Sequence, residues 1–334
     1  MKWPFAARKA PAAVVSDGPQ ATELDIRMCF RLLLGRPPNP EEWPGHAAQA
    51  GQDLPPVVAG YLNSLEFSRR KLVAAEAADL PELAEFDGFR IYARRSDIAI
   101  GRTVLAGRYE PEVAAVFRQV LLPGMAVIDI GANIGFFSML AAALVGGGGA
   151  VLAVEPNPDN ARLLEASRRL NGFDHVVTAA VAAAPSAGLL LLHTTHSNGT
   201  TSRPGADPRE LFAARAVPGL PVDALVAASW PAGRQTGLIK VDVEGAEYLA
   251  LLGASGVLGR DRPLIVSEFS PTAMPGISGI DGPEYLRWLF GQGYCVSVIQ
   301  PDGPLLEAGQ EVQAVMHAFE RRGVDHIDLL ARPV

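Results

Sequence analysis

Four acidic residues follow or close short apolar runs, at positions where the strands of a parallel sheet would end. Asp129 closes AVID, Glu155 follows AVLAV, Asp242 follows LIKV and Glu268 closes LIVSE. In open α/β sheets, ligands bind in the crevice beyond the carboxyl ends of the strands. An acidic rim repels a pyrophosphate but suits a ligand that carries positive charge. The alternative is that each acid only caps a helix or pairs with a nearby base.

A glycine-rich turn follows the first of these strands, where AVIDI runs into GANIG and then into a helical pattern. A dinucleotide fingerprint would need glycine at Asn133 and Phe136, and a P-loop would need a Lys-Ser/Thr pair that this turn lacks. The turn still offers backbone N–H groups at a helix N-terminus. Glu155 ends the next strand, where a carboxylate can accept hydrogen bonds from both ribose hydroxyls. With the acidic rim, this pattern indicates S-adenosylmethionine.

The run LIKVDVEGAE holds the candidate catalytic groups. Lys240, Asp242 and Glu244 share one parity, so in a continuing strand they project from the same face. One interpretation is structural: Lys240 pairs with Asp242 or with Glu268, because an unpaired buried charge is costly. The other places Asp242 or Glu244 beside the transferred methyl group, as the base or divalent-metal ligand that removes a hydroxyl proton. Glu268 is the next candidate.

Two histidines, His193 and His196, flank TT ahead of the polar loop SNGTTSRPGAD. A three-residue offset places them on opposite faces of a strand. A hydrophilic loop explains both without chemistry, so we do not assign them to a site.

Strands and helices alternate from residue 125 onward, which predicts a doubly wound α/β domain. Two short strands, FRIYA and IAIGRTVLA, precede it. The expected strands cover 126–130, 150–156, 175–181, 189–194, 238–243, 264–269, 294–299 and 326–330. The expected helices cover 111–121, 135–144, 158–171, 247–252 and 283–291.

The region before this domain has different patterning. Residues 1–20 are rich in Pro and Ala and are predicted to be a disordered arm. Residues 21–80 read as a small all-helical domain, with one apolar stripe at 24, 28 and 32 and another at 57, 61 and 65. Residues 82–334 form the α/β domain.

Composition restricts the class of protein. The 334 residues carry a net charge of −7, with 49% hydrophobic and 19% charged residues, so the chain is globular and nucleic acid is a disfavoured partner. Cys29 and Cys295 allow neither a disulfide framework nor a cysteine metal site. The uncharged stretch 136–154 is split by four glycines, so we expect a helix and a strand there. With no signal peptide or membrane span expected, the predicted location is the cytoplasm.

The α/β region resembles the FkbM-type family of S-adenosylmethionine-dependent methyltransferases over residues 105–333. The resemblance rests on YEPEVAAVFRQVLLPGMAVIDIGANIGFFS, VLAVEPNPDNARLLEASRRLNG, LIKVDVEGAEYLALLGA, IVSEF, GYCVSVIQ and HIDLLARP. It implies a seven-stranded, Rossmann-like class I methyltransferase sheet whose last strand is antiparallel. It also implies methyl transfer to a hydroxyl of a sugar or natural-product scaffold. One departure is AAAP at 182–185, where many methyltransferases place an acid near the adenine, so adenine contacts there would be apolar or through the backbone.

The cofactor site implied by the resemblance lies in the GANIG/EPNP crevice, with two further residues near the methionine end of the cofactor. Its members are Asp129, Gly131, Ala132, Asn133, Gly135, Glu155, Pro156, Asn157, Tyr109 and Glu110. Glu110 before Pro111 also reads as an ordinary helix start. No metal-ligating set is assigned, and a divalent metal stays an open alternative.

The helical region resembles, through FRLLLGRPPNPEE and YLNSLEFSRR, a domain of unknown function found in bacterial glycan-associated proteins. That resemblance implies glycan-assembly proteins as partners. The sequence therefore predicts a cytoplasmic S-adenosylmethionine-dependent O-methyltransferase that acts on a small-molecule or glycan acceptor. The rival interpretations are a binding module of the same fold without turnover and a nicotinamide-dependent oxidoreductase, which the missing third glycine opposes.

Overall fold

The computed structural model describes residues 18–70, 79–195, 197–301 and 303–334. The chain separates into two compact units, Met1–Leu80 and Pro81–Val334. Most of the predicted arm, residues 1–17, lies outside the described residues. The last residues of that arm are held in the first unit, where Gln20 forms a β-bridge with Asp53. The assignment of residues 21–80 and 82–334 as separate domains stays a prediction.

The first unit is helical. It contains α1 (Glu23–Met28), continued by a π-helical turn over Cys29–Leu34, then α2 (Trp43–Ala47), α3 (Leu54–Leu62) and α4 (Leu65–Arg69). Helix α1 begins with a capping box, in which the Thr22 hydroxyl accepts from the Asp25 N–H at 3.2 Å and the Asp25 carboxylate accepts from the Thr22 N–H at 2.8 Å. This reciprocal pair satisfies two donors that a helix start leaves open.

The core of this unit differs from the predicted stripes. Met28, Leu32 and Leu65 are 38%, 64% and 75% exposed, so their assignment to the buried face is wrong. For the first stripe, the π turn over Cys29–Leu34 holds more residues per turn than an α-helix and moves the inward face away from a strict 3.6-residue period. Leu65 begins a new helix, α4, so it does not continue the face of Val57 and Tyr61 in α3. The core is built instead from Ala21, Ile26, Cys29, Phe30, Leu34, Val57 and Tyr61.

Arg36 joins the two motifs that define the helical region. Its guanidinium group forms an ion pair with Glu42, from the GRPPNPEE turn, and donates to Glu66 Oε2 of α4 at 2.8 Å. Arg70 completes the connection by donating to the Leu33 carbonyl at 2.7 Å. These contacts explain the charged residues of both motifs as a structural clamp.

The second unit begins with a hairpin and two helices and then alternates strands with helices. Its early elements are β1 (Glu82–Phe86), β2 (Phe89–Ala93), α5 (Gly101–Leu105), α6 (Pro111–Val120), β3 (Ala126–Ile130), α7 (Phe136–Val145), β4 (Ala150–Val154), α8 (Pro158–Asn171), β5 (Val176–Ala179), β6 (Ala182–Ala183), β7 (Gly188–Thr195), β8 (Asn198–Ser202) and α9 (Glu210–Ala213). The later ones are β9 (Arg215–Leu220), α10 (Val222–Ser229), β10 (Thr236–Val241), α11 (Glu247–Leu252), α12 (Ser255–Asp261), β11 (Leu264–Phe269), α13 (Met274–Ile277), α14 (Gly282–Gly291), β12 (Tyr294–Val298), β13 (Leu306–Gly309), α15 (Val312–Arg322) and β14 (Ile327–Pro333).

The main sheet confirms the predicted doubly wound α/β fold. Its strand order is β13-β12-β14-β11-β10-β3-β4-β5, and β14 runs antiparallel to both β11 and β12. Seven of its strands are ones that the sequence predicted, as many as the resemblance implies, and the short β13 adds an eighth at the edge, antiparallel to β12.

One local prediction is wrong. The segment IAIGRTVLA is not a strand, because the Asp97 carboxylate accepts from the Gly101 N–H at 2.9 Å and α5 starts there. The strand predicted at 189–194 is confirmed as β7, which lies in a separate sheet of order β6-β9-β7-β8.

Apolar residues cover both faces of the main sheet, and successive residues of a strand alternate between the two layers. In β3, Ile128 and Ile130 pack in one layer, whereas Val127 packs in the other. Asp129 and Lys240 have the parity of the second layer and are opposite one another in register. The central strands therefore bring two buried charges to the same face.

The stretch 136–154 divides into α7 and β4, as predicted. Among the described residues, no helix has the length and apolar character needed to cross a membrane.

Candidate functional site

The glycine loop at 131–135 is tightly packed between β10 and α8. The N–H groups of Gly131 and Ala132 both donate to the Val154 carbonyl, at 2.9 and 3.1 Å. Gly131 has φ +79°, and a Cβ there would lie 1.8 Å from the Asp242 carbonyl oxygen. Gly135 has φ +97°, and its Cβ would lie 2.7 Å from the Leu164 side chain. Only glycine adopts these positive φ values without strain and also leaves room for the neighbouring atoms.

Glu155 fixes the geometry between this loop and the start of α8. Its Oε2 accepts from the Asn133 N–H at 2.8 Å, and its Oε1 accepts from the Asn157 N–H at 2.7 Å. Burial raises the pKa of Glu155 to about 7. Asn157 caps α8, since its side chain accepts from the Asp159 N–H at 3.1 Å.

Lys240 lies at the centre of the buried charges. Its Nζ is 2.7 Å from Asp242 Oδ2 and 4.7 Å from the centroid of the Phe137 ring. Burial alone would lower the pKa of Lys240, but the carboxylates of Asp242, Glu110 and Asp129 raise it above its ordinary value. The ion pair that the structural interpretation predicted is therefore present.

Asp242 is ionised although burial disfavours a charged carboxylate. Burial raises the pKa of its carboxyl, but Lys240 and a hydrogen bond from Glu268 hold the pKa below its ordinary value. The side chain keeps 26% exposure and lines the cavity described below. Asp129 is buried more deeply, with Oδ2 accepting from the Ser138 hydroxyl at 2.6 Å.

Tyr109 and Glu110 approach the same centre from the start of α6. The Tyr109 ring packs edge-on against Phe136, with centroids 5.2 Å apart. Burial raises the pKa of Glu110 to about 8. Glu110, Asn133 and Glu244 have φ of 38°, 50° and 56°, a backbone conformation that non-glycine residues rarely adopt.

One cavity of about 250 Å³ joins these groups. It is lined by every residue of the predicted catalytic and cofactor sets except Gly135, which shapes the loop from outside the cavity. Sequence reasoning missed several lining residues, which come from β6 to β8, α7 and the start of β14. They include Phe136, Phe137, Ala182, Ala183, Leu192, Ser197, Asn198, His326 and Asp328.

The turn between β7 and β8 closes over the glycine loop. The Ser197 carbonyl accepts from Asn160 Nδ2 at 2.8 Å and from Asn133 Nδ2 at 3.2 Å. Asn198 Nδ2 donates to Glu244 Oε1 at 2.7 Å. The small sheet therefore supplies a wall of the cavity, which strand prediction alone does not reveal.

His193 lies on an exposed hairpin, where its Nε2 is 3.0 Å from the Ser202 hydroxyl. His196 lies outside the described residues. In the described part of the chain, no group of three or more His, Cys, Asp and Glu side chains is arranged to hold a metal ion.

The buried acids predict an unusual pH dependence of stability. The pKa of Glu247 is raised by burial to about 7 and that of Asp328 to about 6, so with Glu110 and Glu155 the folded chain keeps protons that the unfolded chain releases. The free energy of unfolding should therefore fall as the pH rises from about 5 to about 8. We expect the melting temperature of the ligand-free protein, measured by calorimetry, to decrease across this range. A rising melting temperature would contradict the assigned burial.

About half of the chain matches a known protein family. A family model described as the methyltransferase FkbM domain matches residues 129–296, just over half of the chain. No curated protein matches the chain. The solved structures that resemble it include methyltransferase FkbM from Methylobacillus flagellatus KT, with 14% identity and a TM-score of 0.38, covering 65% of this chain and 50% of that chain. This chain thus spans half the length of that protein.

Two further similar structures contain cofactor ligands. TYW2 from M. jannaschii, in complex with AdoMet, has 14% identity and a TM-score of 0.41, covering 77% of this chain and 88% of that one. The O-methyltransferase from Bacillus cereus, in complex with SAH, has 12% identity and a TM-score of 0.39, covering 67% of this chain and 81% of that one.

Proposed function

Because the chain belongs to the FkbM methyltransferase family, we propose that it transfers a methyl group from S-adenosylmethionine to a hydroxyl of a sugar or natural-product acceptor. The observation that carries the proposal is the Glu155 carboxylate, which is held by the Asn133 and Asn157 N–H groups beside the glycine loop. This arrangement places a buried acceptor at the end of the second parallel strand, where a ribose binds in such sheets.

The remaining lining residues suit the other parts of the cofactor. Ala182 and Ala183 offer an apolar wall and backbone groups for an adenine. Tyr109, Glu110 and Asp129 lie at the other side of the glycine loop, where acidic groups would hold the ammonium of the methionine portion. When bound, S-adenosylmethionine supplies the electrophilic methyl group.

The protein must then align the acceptor oxygen and remove one proton. Asp242 is ionised, its side chain is 26% exposed, and Lys240 holds it at 2.7 Å. We assign it the role of proton acceptor, with Glu244 and Glu268 as the neighbouring alternatives. Lys240 positions the Asp242 carboxylate and keeps it charged.

Calorimetric titration tests the cofactor assignment. We expect the protein to bind S-adenosylmethionine and S-adenosylhomocysteine and not NAD, and to transfer a labelled methyl group to an acceptor in a metabolite extract. Binding of NAD alone would support the oxidoreductase alternative. Binding of both adenosyl ligands without any transfer would support a binding module without turnover.

Glu155→Ala should weaken the binding of S-adenosylhomocysteine by about 10- to 100-fold, because charge-assisted hydrogen bonds to two hydroxyls contribute about 1.5–3 kcal/mol. The measurement is calorimetric titration. Glu85→Ala removes an exposed acid from the β1–β2 hairpin and serves as the matched control. Unchanged affinity in Glu155→Ala, with the control also unchanged, would contradict the ribose assignment.

We also propose that the helical unit contacts glycan-assembly proteins, following the resemblance of its two motifs. The Arg36 clamp accounts for the fold of these motifs and leaves the apolar side chains of Leu32 and Leu65 exposed.

A further inference from the structure

The part of the cavity farthest from Glu155 is lined by acids on neighbouring strands. Glu268 on β11 and Asp328 on β14 are directly opposite each other in the antiparallel register. Directly opposed residues of such a pair project to the same face of the sheet. Both side chains line the cavity, on the side of β10 away from the glycine loop strands.

Glu268 has an oxygen without a partner. The residue is only 7% exposed, and among the described residues no group forms a hydrogen bond with its buried Oε2. By contrast, Asp242 is paired with Lys240 and Glu244 accepts from Asn198. A buried carboxyl oxygen without a hydrogen-bond partner is costly unless a ligand satisfies it, and the Glu268 residue lines the cavity.

Few basic side chains line the cavity near Glu268 and Asp328. Of the described residues that line the cavity, only Lys240 and His326 have basic side chains. Lys240 is occupied by Asp242, and His326 Nδ1 lies 2.9 Å from Asp325 Oδ1 and 3.6 Å from Glu268 Oε1. Burial, and then the Asp242 carboxylate, raise the pKa of Glu268 well above its usual range and that of Asp328 to about 6. Burial is the largest cause of both shifts, and the opposing effect of Lys240 and His326 on Asp328 does not cancel it.

An ammonium group suits these two carboxyls better than a metal ion does. The described residues contain no set of three or more ligating side chains arranged for a metal. An ammonium group carries three donors and one charge, which two opposed carboxyls can satisfy. An anionic acceptor would instead be repelled by the same groups.

We propose that the methyl acceptor is an amine-bearing molecule, such as an amino sugar, whose ammonium group binds between the carboxyls of Glu268 and Asp328. This inference rests on the proposed methyl transfer and adds the chemical class of the acceptor. The amine serves recognition, and a hydroxyl of the same molecule receives the methyl group.

The test uses the full chain saturated with S-adenosylhomocysteine and three probes of nearly equal shape: glucosamine, glucose and glucuronate. Ligand-observed NMR titration gives their affinities. We expect glucosamine to bind at least about tenfold more tightly than glucose, and glucuronate not to bind. Equal binding of glucosamine and glucose, or binding of none of the three, would overturn the inference.

Variants and metal additions complete the experiment. Glu268→Gln and Asp328→Asn should each reduce glucosamine affinity to that of glucose, while Glu85→Gln leaves it unchanged. The affinity of each variant for S-adenosylhomocysteine is measured in parallel, so a failure of the cofactor site is distinguished from a failure of this inference. If glucosamine binding requires added Mg²⁺ and is lost in EDTA, the carboxyls bind a metal and the ammonium assignment is wrong.

Discussion

Gly131→Ala should reduce the affinity for S-adenosylhomocysteine by on the order of 100-fold or more. The added methyl group would lie 1.8 Å from the Asp242 carbonyl oxygen, so either the glycine loop or the end of β10 must move. The loop also receives its shape from the bonds of Gly131 and Ala132 to Val154. A shift there misplaces Asn133 relative to Glu155. Calorimetric titration measures the loss.

Gly124→Ala is the matched control for this variant. Gly124 has φ +86°, close to the +79° of Gly131, but a Cβ there meets nothing within 4 Å. Both variants therefore carry the cost of a left-handed alanine, and only one carries the collision. If the two variants lose the same affinity and the same melting temperature, close packing of the loop is not what the site requires.

Asp242→Asn should lower the rate of methyl transfer by roughly 10²–10⁴-fold, the contribution of a positioned general base. The amide keeps the shape of the carboxylate but cannot accept the proton. We expect the affinity for S-adenosylmethionine to change little and the melting temperature to fall, because Lys240 loses the ion-pair partner that lies 2.7 Å away. Single-turnover rates and calorimetry provide the two measurements.

The double variant Lys240→Met/Asp242→Asn separates chemistry from structure. Removing both members of a buried ion pair is often neutral for stability, whereas removing one is destabilising. Recovery of activity in the double variant would mean that Asp242 only neutralises Lys240, and Glu244 or Glu268 would then be the base. Inhibition by EDTA that a divalent ion reverses would support a metal ligand, and indifference to EDTA supports a direct base.

The sequence predicted the central sheet because its determinants are local. The run AVIDI forms β3 over the predicted residues, and α8 covers the predicted range 158–171, between its caps Asn157 and Gly172. Glycines in the loop and acids after apolar runs indicate the crevice, because strand ends of a parallel sheet meet at one edge. The presence of Glu155 and Asp242 at one cavity follows from that topology.

The remaining features of the site depend on contacts between segments that are far apart in the sequence. Asp328 lies inside a strand and gains its position opposite Glu268 only through antiparallel pairing of β14 with β11. Asn198 meets Glu244 because a hairpin of the small sheet folds back over the loop. No periodicity in the sequence encodes these pairings. The inward face of the first helices was mispredicted because a π turn alters their period.

The left-handed residues at the cavity have a consequence for how this protein can evolve. Glycine would relieve backbone strain of about 1 kcal/mol at Glu110 or Glu244. Selection for heat tolerance alone would therefore favour glycine at both positions, while selection for catalysis would oppose it. In a library screened first for thermostability and then for turnover, the variants selected by the two screens should carry different residues at these two positions.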